Sequence, residues 1–328
     1  QSVIVDDEES PVLFGNFPVN IDDLTTSPTS CDTLFSASTH DISARDNCDN
    51  LGAILTYTTI IDEGNDGIGQ DTIPGRRSIN GIRFNEGVTR VTYIVADTSV
   101  FYNTKVNKPN TTSISFTVTV TDKTPPVYNT ALYAAIDTFR TTTSAGERFV
   151  TYNDLMIRGF SGPDPAIYTS DYCSPVADID TAFQRRSDNL TLRHNYPIGT
   201  TVITWRATDN AGNFNDTLQW VVVSDNEPPS IETLLDTVLT ACQRVAPALR
   251  IPVTSDNSDQ LDTLFLTVTG PSYSYADTIT VDGFDPNGNG YSDPIADLSP
   301  DTDYTVTWLV IDHYGNANSS SQNIRVEV

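Results

Sequence analysis

One pattern occurs three times in the sequence, and no other feature restricts the fold as tightly. "RVTYIVAD" (90 to 97), "VITWRATD" (202 to 209) and "TVTWLVID" (305 to 312) each alternate apolar and polar residues. Each also carries an aromatic, Tyr93, Trp205 or Trp308, four positions before an aspartate. A period of two belongs to a half-buried strand, not a helix. A second alternating run follows each one: "ISFTVTV" (114 to 120), "LQWVVV" (218 to 223) and "NIRVEV" (323 to 328). Each pair predicts a hairpin. Two of the closing runs lead into "TDKTPPV" (121 to 127) and "SDNEPPS" (224 to 230), where proline removes a backbone donor and extends the residue before it.

The pattern returns roughly every 100 residues, the signature of a tandem array. It divides the chain into modules at 10–123, 124–226 and 227–328. Residues 1–9, with "VIVDDEESPV" beginning at position 3, read as the end of a preceding module and its linker. Turn signals about every 10 residues and little helical periodicity predict an all-β chain of tandem immunoglobulin-like β-sandwich modules, arranged as an extended rod. Helix is hinted at only over 139–158 and 231–241.

The segments "YPIGTTVITWRATDNAGN", "LQWVVVSDNEPP" and "CDTLFSASTHDISARDNC" resemble the hyalin-repeat class of immunoglobulin-like modules. The resemblance spans all three modules and is best in the second half of each. Module one departs from it, because "TSVFYNTKVNKPNTTS" (98 to 113) stands where module two has "NAGN". The chain is also similar to the repeat regions of giant Bacteroidota adhesins exported by type IX secretion, including gliding-motility adhesins. That resemblance implies a stalk or spacer at the cell surface, whose partners are neighbouring modules of the same chain and an extracellular ligand or polysaccharide at a distal tip. The hyalin-repeat resemblance implies a Cys31–Cys48 disulfide, which suits an oxidising compartment; two buried thiols are the alternative. Cys173 and Cys242 are expected to be free and buried, with no CxxC or His-rich cluster to suggest a metal.

Seven Asp-Thr pairs precede Leu, Ile, Val or Ala, at Thr33, Thr72, Thr181, Thr217, Thr237, Thr263 and Thr278. They are similar to the O-glycosylation sequon of exported Bacteroidota proteins, and they equally suit strands entered from an Asp turn. N-x-S/T triplets stand at Asn110, Asn189, Asn215 and Asn318.

Charge excludes some partners. With 43 acidic against 18 basic residues and a net charge of -25, the chain repels nucleic acid and anionic lipid. No apolar run approaches the ~18 residues of a membrane span, so membrane insertion is not expected. The histidines (His40, His194, His313) lack metal-ligand spacing, and no nucleophile elbow, HExxH or phosphate-cradling loop occurs. No enzyme and no organic cofactor are expected.

Calcium is the candidate ligand. "DPNGNGYSD" places Asp285, Asn287, Asn289 and Asp293 at alternating loop positions around Gly290, as a calcium loop requires; a Gly-Asn turn is the alternative. "DEGNDGIGQD" (62 to 71) is a weaker version of it. The linkers offer a second set, in which Asp122 faces Asp209 and Asp225 faces Asp312, with Asp171 and Asp256 nearby. Carboxylates converging there repel unless a cation joins them; otherwise each caps a turn. A sugar- or protein-binding module set attached to a secreted enzyme, using Phe101 and Tyr102 of the insertion, is the competing function. A sheath or surface-layer subunit is a third.

Overall fold

The computed structural model describes residues 7–14, 19–47, 55–64, 67, 69–97, 109–280, 290, 292 and 297–328. The chain is all-β with sandwich-like sheets. Helix is confined to Thr130–Tyr133, Tyr152–Ile157, Pro165–Tyr168 and a 3-10 turn at Val176–Asp178 among the described residues. Neither helical hint survives at full length. Thr138–Thr142 and Thr237–Thr240 are strands, because each is needed as a sheet edge. No helix among the described residues is long and apolar enough to cross a membrane.

Two five-stranded sheets and one of four strands recur along the chain. The first runs in the order Ile21–Thr25, Thr111–Thr121, Gly87–Asp97, Leu55–Glu63, Asp71–Pro74. The four-stranded sheet runs Thr138–Thr142, Phe214–Ser224, Gly199–Thr208, Asp180–Arg186. The last runs Thr237–Thr240, Ala317–Glu327, Thr302–Asp312, Leu261–Gly270, Tyr273–Thr280. In each, the edge strand lies parallel to the strand that closes the repeat, as in Thr138↔Trp220 and Thr237↔Ile324. The expected hairpins are antiparallel ladders, Val91 opposite Phe116 and Trp308 opposite Ser320.

Burial follows the alternation read from the sequence. In Gly87–Asp97 the buried residues are Thr89, Val91, Tyr93, Val95 and Asp97. In Thr302–Asp312 they are Tyr304, Val306, Trp308, Val310 and Asp312. The inward face therefore carries an aspartate at its end, one pleat past the last apolar side chain. Three separate apolar clusters result, around Tyr93 and Phe116, around Trp205 and Phe160, and around Trp308 and Leu264.

By contact density the chain forms two compact units. One comprises Gln1–Thr130, Asp164–Ala182 and Arg206–Asp216; the other comprises Ala131–Pro163, Phe183–Trp205 and Thr217–Val328. The first unit holds the Tyr93 cluster. The second holds the Trp205 and Trp308 clusters, in which the Trp205 indole donates to Gln219 Oε1 at 2.9 Å.

Candidate metal centre

Each linker begins with an aspartate that continues the inward face of a strand. Asp122 follows Phe116, Val118 and Val120, and Asp225 follows Gln219, Val221 and Val223, so both enter at the mouth of a sandwich. Asp7 occupies the matching place in the first linker. All three are at most 6% exposed. One carboxylate oxygen of each fixes the local turn, accepting from the backbone N–H two residues on: Glu9 at 3.1 Å, Thr124 at 2.9 Å and Glu227 at 3.1 Å. The other oxygen, Oδ2 in all three, is buried without a protein hydrogen-bond partner. An ionised oxygen in that position costs on the order of 1–3 kcal/mol or more unless a positive group meets it.

A second acidic corner comes from the short strand that pairs next to each linker. Val12–Phe14 pairs with Ser43–Arg45, Val127–Tyr128 with Thr169–Ser170, and Ser230–Ile231 with Thr254–Ser255. The residue after each partner strand is an aspartate: Asp46, Asp171 or Asp256. The third corner is the buried strand-end aspartate: Asp97, Asp209 or Asp312. Carboxylate oxygens of Asp7, Asp46 and Asp97 lie within 4.8 Å of one another, as do those of Asp225, Asp256 and Asp312. In the middle set the mutually close atoms belong to Asp122, Asp171 and the Cys173 thiol.

Asp209 joins its set through an asparagine. Asn213 donates its backbone N–H to Asp209 Oδ1 at 2.8 Å and its amide to Asp209 Oδ2 at 3.0 Å and to the Asp122 carbonyl at 3.3 Å. Asn316 does the same for Asp312 and the Asp225 carbonyl, at 2.8, 2.8 and 3.4 Å. In the first repeat Asn110 donates to the Asp7 carbonyl at 3.0 Å, and its own carbonyl accepts from Asp97 N–H at 3.0 Å. Asn110 thus joins the first linker to Asp97 although the sequence there departs from "NAGN". One step further along each linker, the carbonyls of Pro11, Pro126 and Pro229 accept from Thr112, Asn215 and Asn318 at 2.6, 3.1 and 3.0 Å.

In the first and last sets the mutually close atoms are all carboxylate oxygens, hard donors of the kind calcium takes in sets of six to eight, whereas the middle set adds the softer Cys173 sulfur to the oxygens of Asp122 and Asp171. The local field is negative: the Tyr314 hydroxyl is pushed up, first by burial and then by the charges of Asp225, Asp312 and Asp256. Asp256 Oδ1 and Asn257 Oδ1 are further buried oxygens without partners in that set. Residues and chemistry therefore fit a hard divalent cation.

The structure brings together Asp225 with Asp312 directly and Asp122 with Asp209 through Asn213. Asp285, Asn287, Asn289 and Asp293 lie outside the described residues, as do Cys48, Phe101, Tyr102 and residues 1–6. In the loop 62–71, Gly67 N–H donates to the buried Asp62 at 3.0 Å. Cys31, Cys173 and Cys242 are free thiols. Cys242 is exposed and Cys173 half-buried, against the expectation that both are buried, because Cys242 lies beyond the strand Thr237–Thr240 on a surface loop. Thr33, Thr72, Thr181, Thr217, Thr237, Thr263 and Thr278 all stand on strands, and none is buried. The sequence missed Asp7, Asp46 and Asp97 as a set. The signal was present in the matching of Asp7 to Asp122 and of Asp46 to Asp171.

No family model matches the chain, and no curated protein matches it. Among solved structures it is similar to mouse cadherin-23 EC22-24, at 12% identity and a TM-score of 0.33 over 98% of this chain and 100% of that one. It is similar also to protocadherin gamma B2 extracellular cadherin domains 3-6, at 12% and 0.35 over 98% and 77%. The human desmocollin-1 ectodomain matches at 11% and 0.32 over 98% and 62%. TM-scores this low carry no argument about function.

Proposed function

We propose that the chain is a structural repeat segment, a stalk or spacer of a larger exported surface adhesin or filament, and not an enzyme. In this reading modules 10–123, 124–226 and 227–328 follow one another as a rod, and calcium occupies the acidic sets at their linkers. The three separate apolar clusters support the modular division. The observation that carries the cation is the buried Oδ2 of Asp7, Asp122 and Asp225, unpartnered at the same place in three linkers. A cation there removes the repulsion among converging carboxylates and ties the linker to the loops around it, making the joint stiffer. The strongly acidic surface suits life outside the cell, where neighbouring modules of the same chain are the first partners.

The test is calorimetric titration of calcium into chelator-treated protein, with small-angle scattering in calcium and in chelator. Saturable binding that weakens at least tenfold in Asp225→Asn/Asp312→Asn is expected, together with an extended envelope that becomes more flexible in chelator. No heat of binding overturns the cation, and a compact envelope in both conditions overturns the spacer.

A further inference from the structure

Cys31 lies just before the strand Asp32–Leu34, and its thiol donates to Glu86 Oε2 at 3.3 Å. Cys173 lies in the loop after Thr169–Ser170, where its backbone N–H donates to Asp171 Oδ1 at 2.7 Å. More than a hundred residues of sequence separate them, yet both sulfurs and a Glu86 carboxylate oxygen lie within 4.8 Å of one another. Both belong to the same compact unit.

We propose that Cys31 and Cys173 form a disulfide in the mature protein. The sulfurs stand close enough that side-chain rotation, with small backbone adjustment, brings them to the ~2.05 Å of a bond. The oxidant is an external disulfide such as oxidised glutathione. One thiol loses its proton and attacks a sulfur of that disulfide, breaking its S–S bond and releasing one glutathione thiol. The second cysteine thiolate then displaces the second glutathione from the mixed disulfide. Two protein thiols give up two protons and two electrons in all, and one external disulfide becomes two thiols.

The neighbourhood favours this outcome over two thiolates. Glu86, Asp122 and Asp171 surround the pair with negative charge, and a neutral disulfide adds none. It also leaves Asp122 and Asp171 as oxygen donors beside a sulfur that has lost its thiolate character. The turn does not need a thiol at position 173. Ser258 stands at the corresponding place and makes the same backbone hydrogen bond, to Asp256 Oδ2 at 2.8 Å. The bond closes a loop of roughly 140 residues, a large restriction on the unfolded chain.

The bond depends on the extracellular reading only for its compartment, and a glutathione redox buffer supplies the oxidant in vitro. The test is incubation with oxidised and reduced glutathione in the presence and absence of EDTA, alkylation, proteolysis without reduction, and mass spectrometry. A cross-linked peptide pair holding Cys31 and Cys173, lighter by two hydrogens than its parts, is expected. A Cys31–Cys48 pair, or alkylation of both Cys31 and Cys173, overturns it. So does protection of the two thiols that EDTA abolishes, which marks a thiolate-bound metal. Independently, reductant is expected to lower the thermal midpoint of the parent by several degrees, to have no such effect in Cys173→Ser or Cys31→Ser, and to keep it in Cys242→Ser. An equal drop in the parent and all three variants overturns the bond.

Discussion

The side-chain amide of Asn213 donates to the backbone carbonyl of Asp122 at 3.3 Å, so a turn residue and a linker residue 91 positions apart share one hydrogen bond. The same amide holds Asp209 Oδ2 at 3.0 Å. Asn213→Ala removes both contacts, leaving a buried carboxylate oxygen with one donor fewer. A loss of about 1–3 kcal/mol in chemical denaturation is expected. Asn213→Asp is expected to be worse without calcium and to recover in its presence, because it adds a fourth carboxyl to the set. Equal stability of the Asp variant with and without calcium would count against a cation there.

Gln219 holds the centre of the Trp205 cluster. Its Oε1 accepts from the Trp205 indole at 2.9 Å, and its Nε2 donates to the carbonyls of Ile136 and Ser161 at 2.8 and 2.9 Å. Gln219→Leu strands three polar groups at a site 1% exposed and is expected to cost about 2–4 kcal/mol. Trp fluorescence during urea denaturation measures it.

Arg186 is fully buried, and its guanidinium donates to Asp188 and to the carbonyls of Thr191, His194 and Asn195 while lying 4.0 Å from the Tyr196 ring centroid. Arg186→Leu orphans those carbonyls and is expected to cost roughly 3–5 kcal/mol. Asp188 supplies the pH dependence. Burial pushes its carboxyl up, but hydrogen bonds from Arg186 and from the Leu190 N–H outweigh that and hold it below its ordinary value. The folded value is depressed, so this contribution is present above the unfolded value of about 3.9 and is lost as pH falls through the folded one. Denaturation midpoints measured from pH 6 downward are expected to fall less steeply below pH ~4 in Asp188→Asn than in the parent.

Gly212 and Gly315 stand at φ +86° and +88° in matching turns, and an added Cβ meets nothing within 4 Å at either. The cost of alanine is therefore conformational, about 1–2 kcal/mol at each position, and the two losses are expected to add. A thermal midpoint unchanged in the double variant would contradict these backbone angles.

Much of the fold was legible because its signal is local. Alternation in "RVTYIVAD" fixes which side chains point inward, and the aspartate four residues after Tyr93 falls on the same face by pleat alone. The pairing of edge strands was not legible: "TFRTT" (138 to 142) and "TVLT" (237 to 240) are short, and only the neighbouring closing strand makes them strands. Asp171 and Asp256 were placed only as possible neighbours of the linkers, since their positions depend on two-residue ladders formed across the chain. Asn110 was hidden because it lies within the inserted sequence at 98–113, which does not align with "NAGN". The approach of Cys31 to Cys173 has no local trace at all.

The parallel edge pairing has a mechanical consequence. In each repeat the first strand of the large sheet and the strand that closes the repeat run in the same direction, side by side, as Thr138–Thr142 does along Trp220–Ser224. Tension applied through the two ends pulls these neighbours in opposite senses along their length. Every rung of the ladder is then loaded at once in shear, whereas a hairpin pulled from its open end loses rungs one by one. A chain joined this way resists stretching through many hydrogen bonds in concert, and its yield point is set by the short edge strand and not by the long central ones.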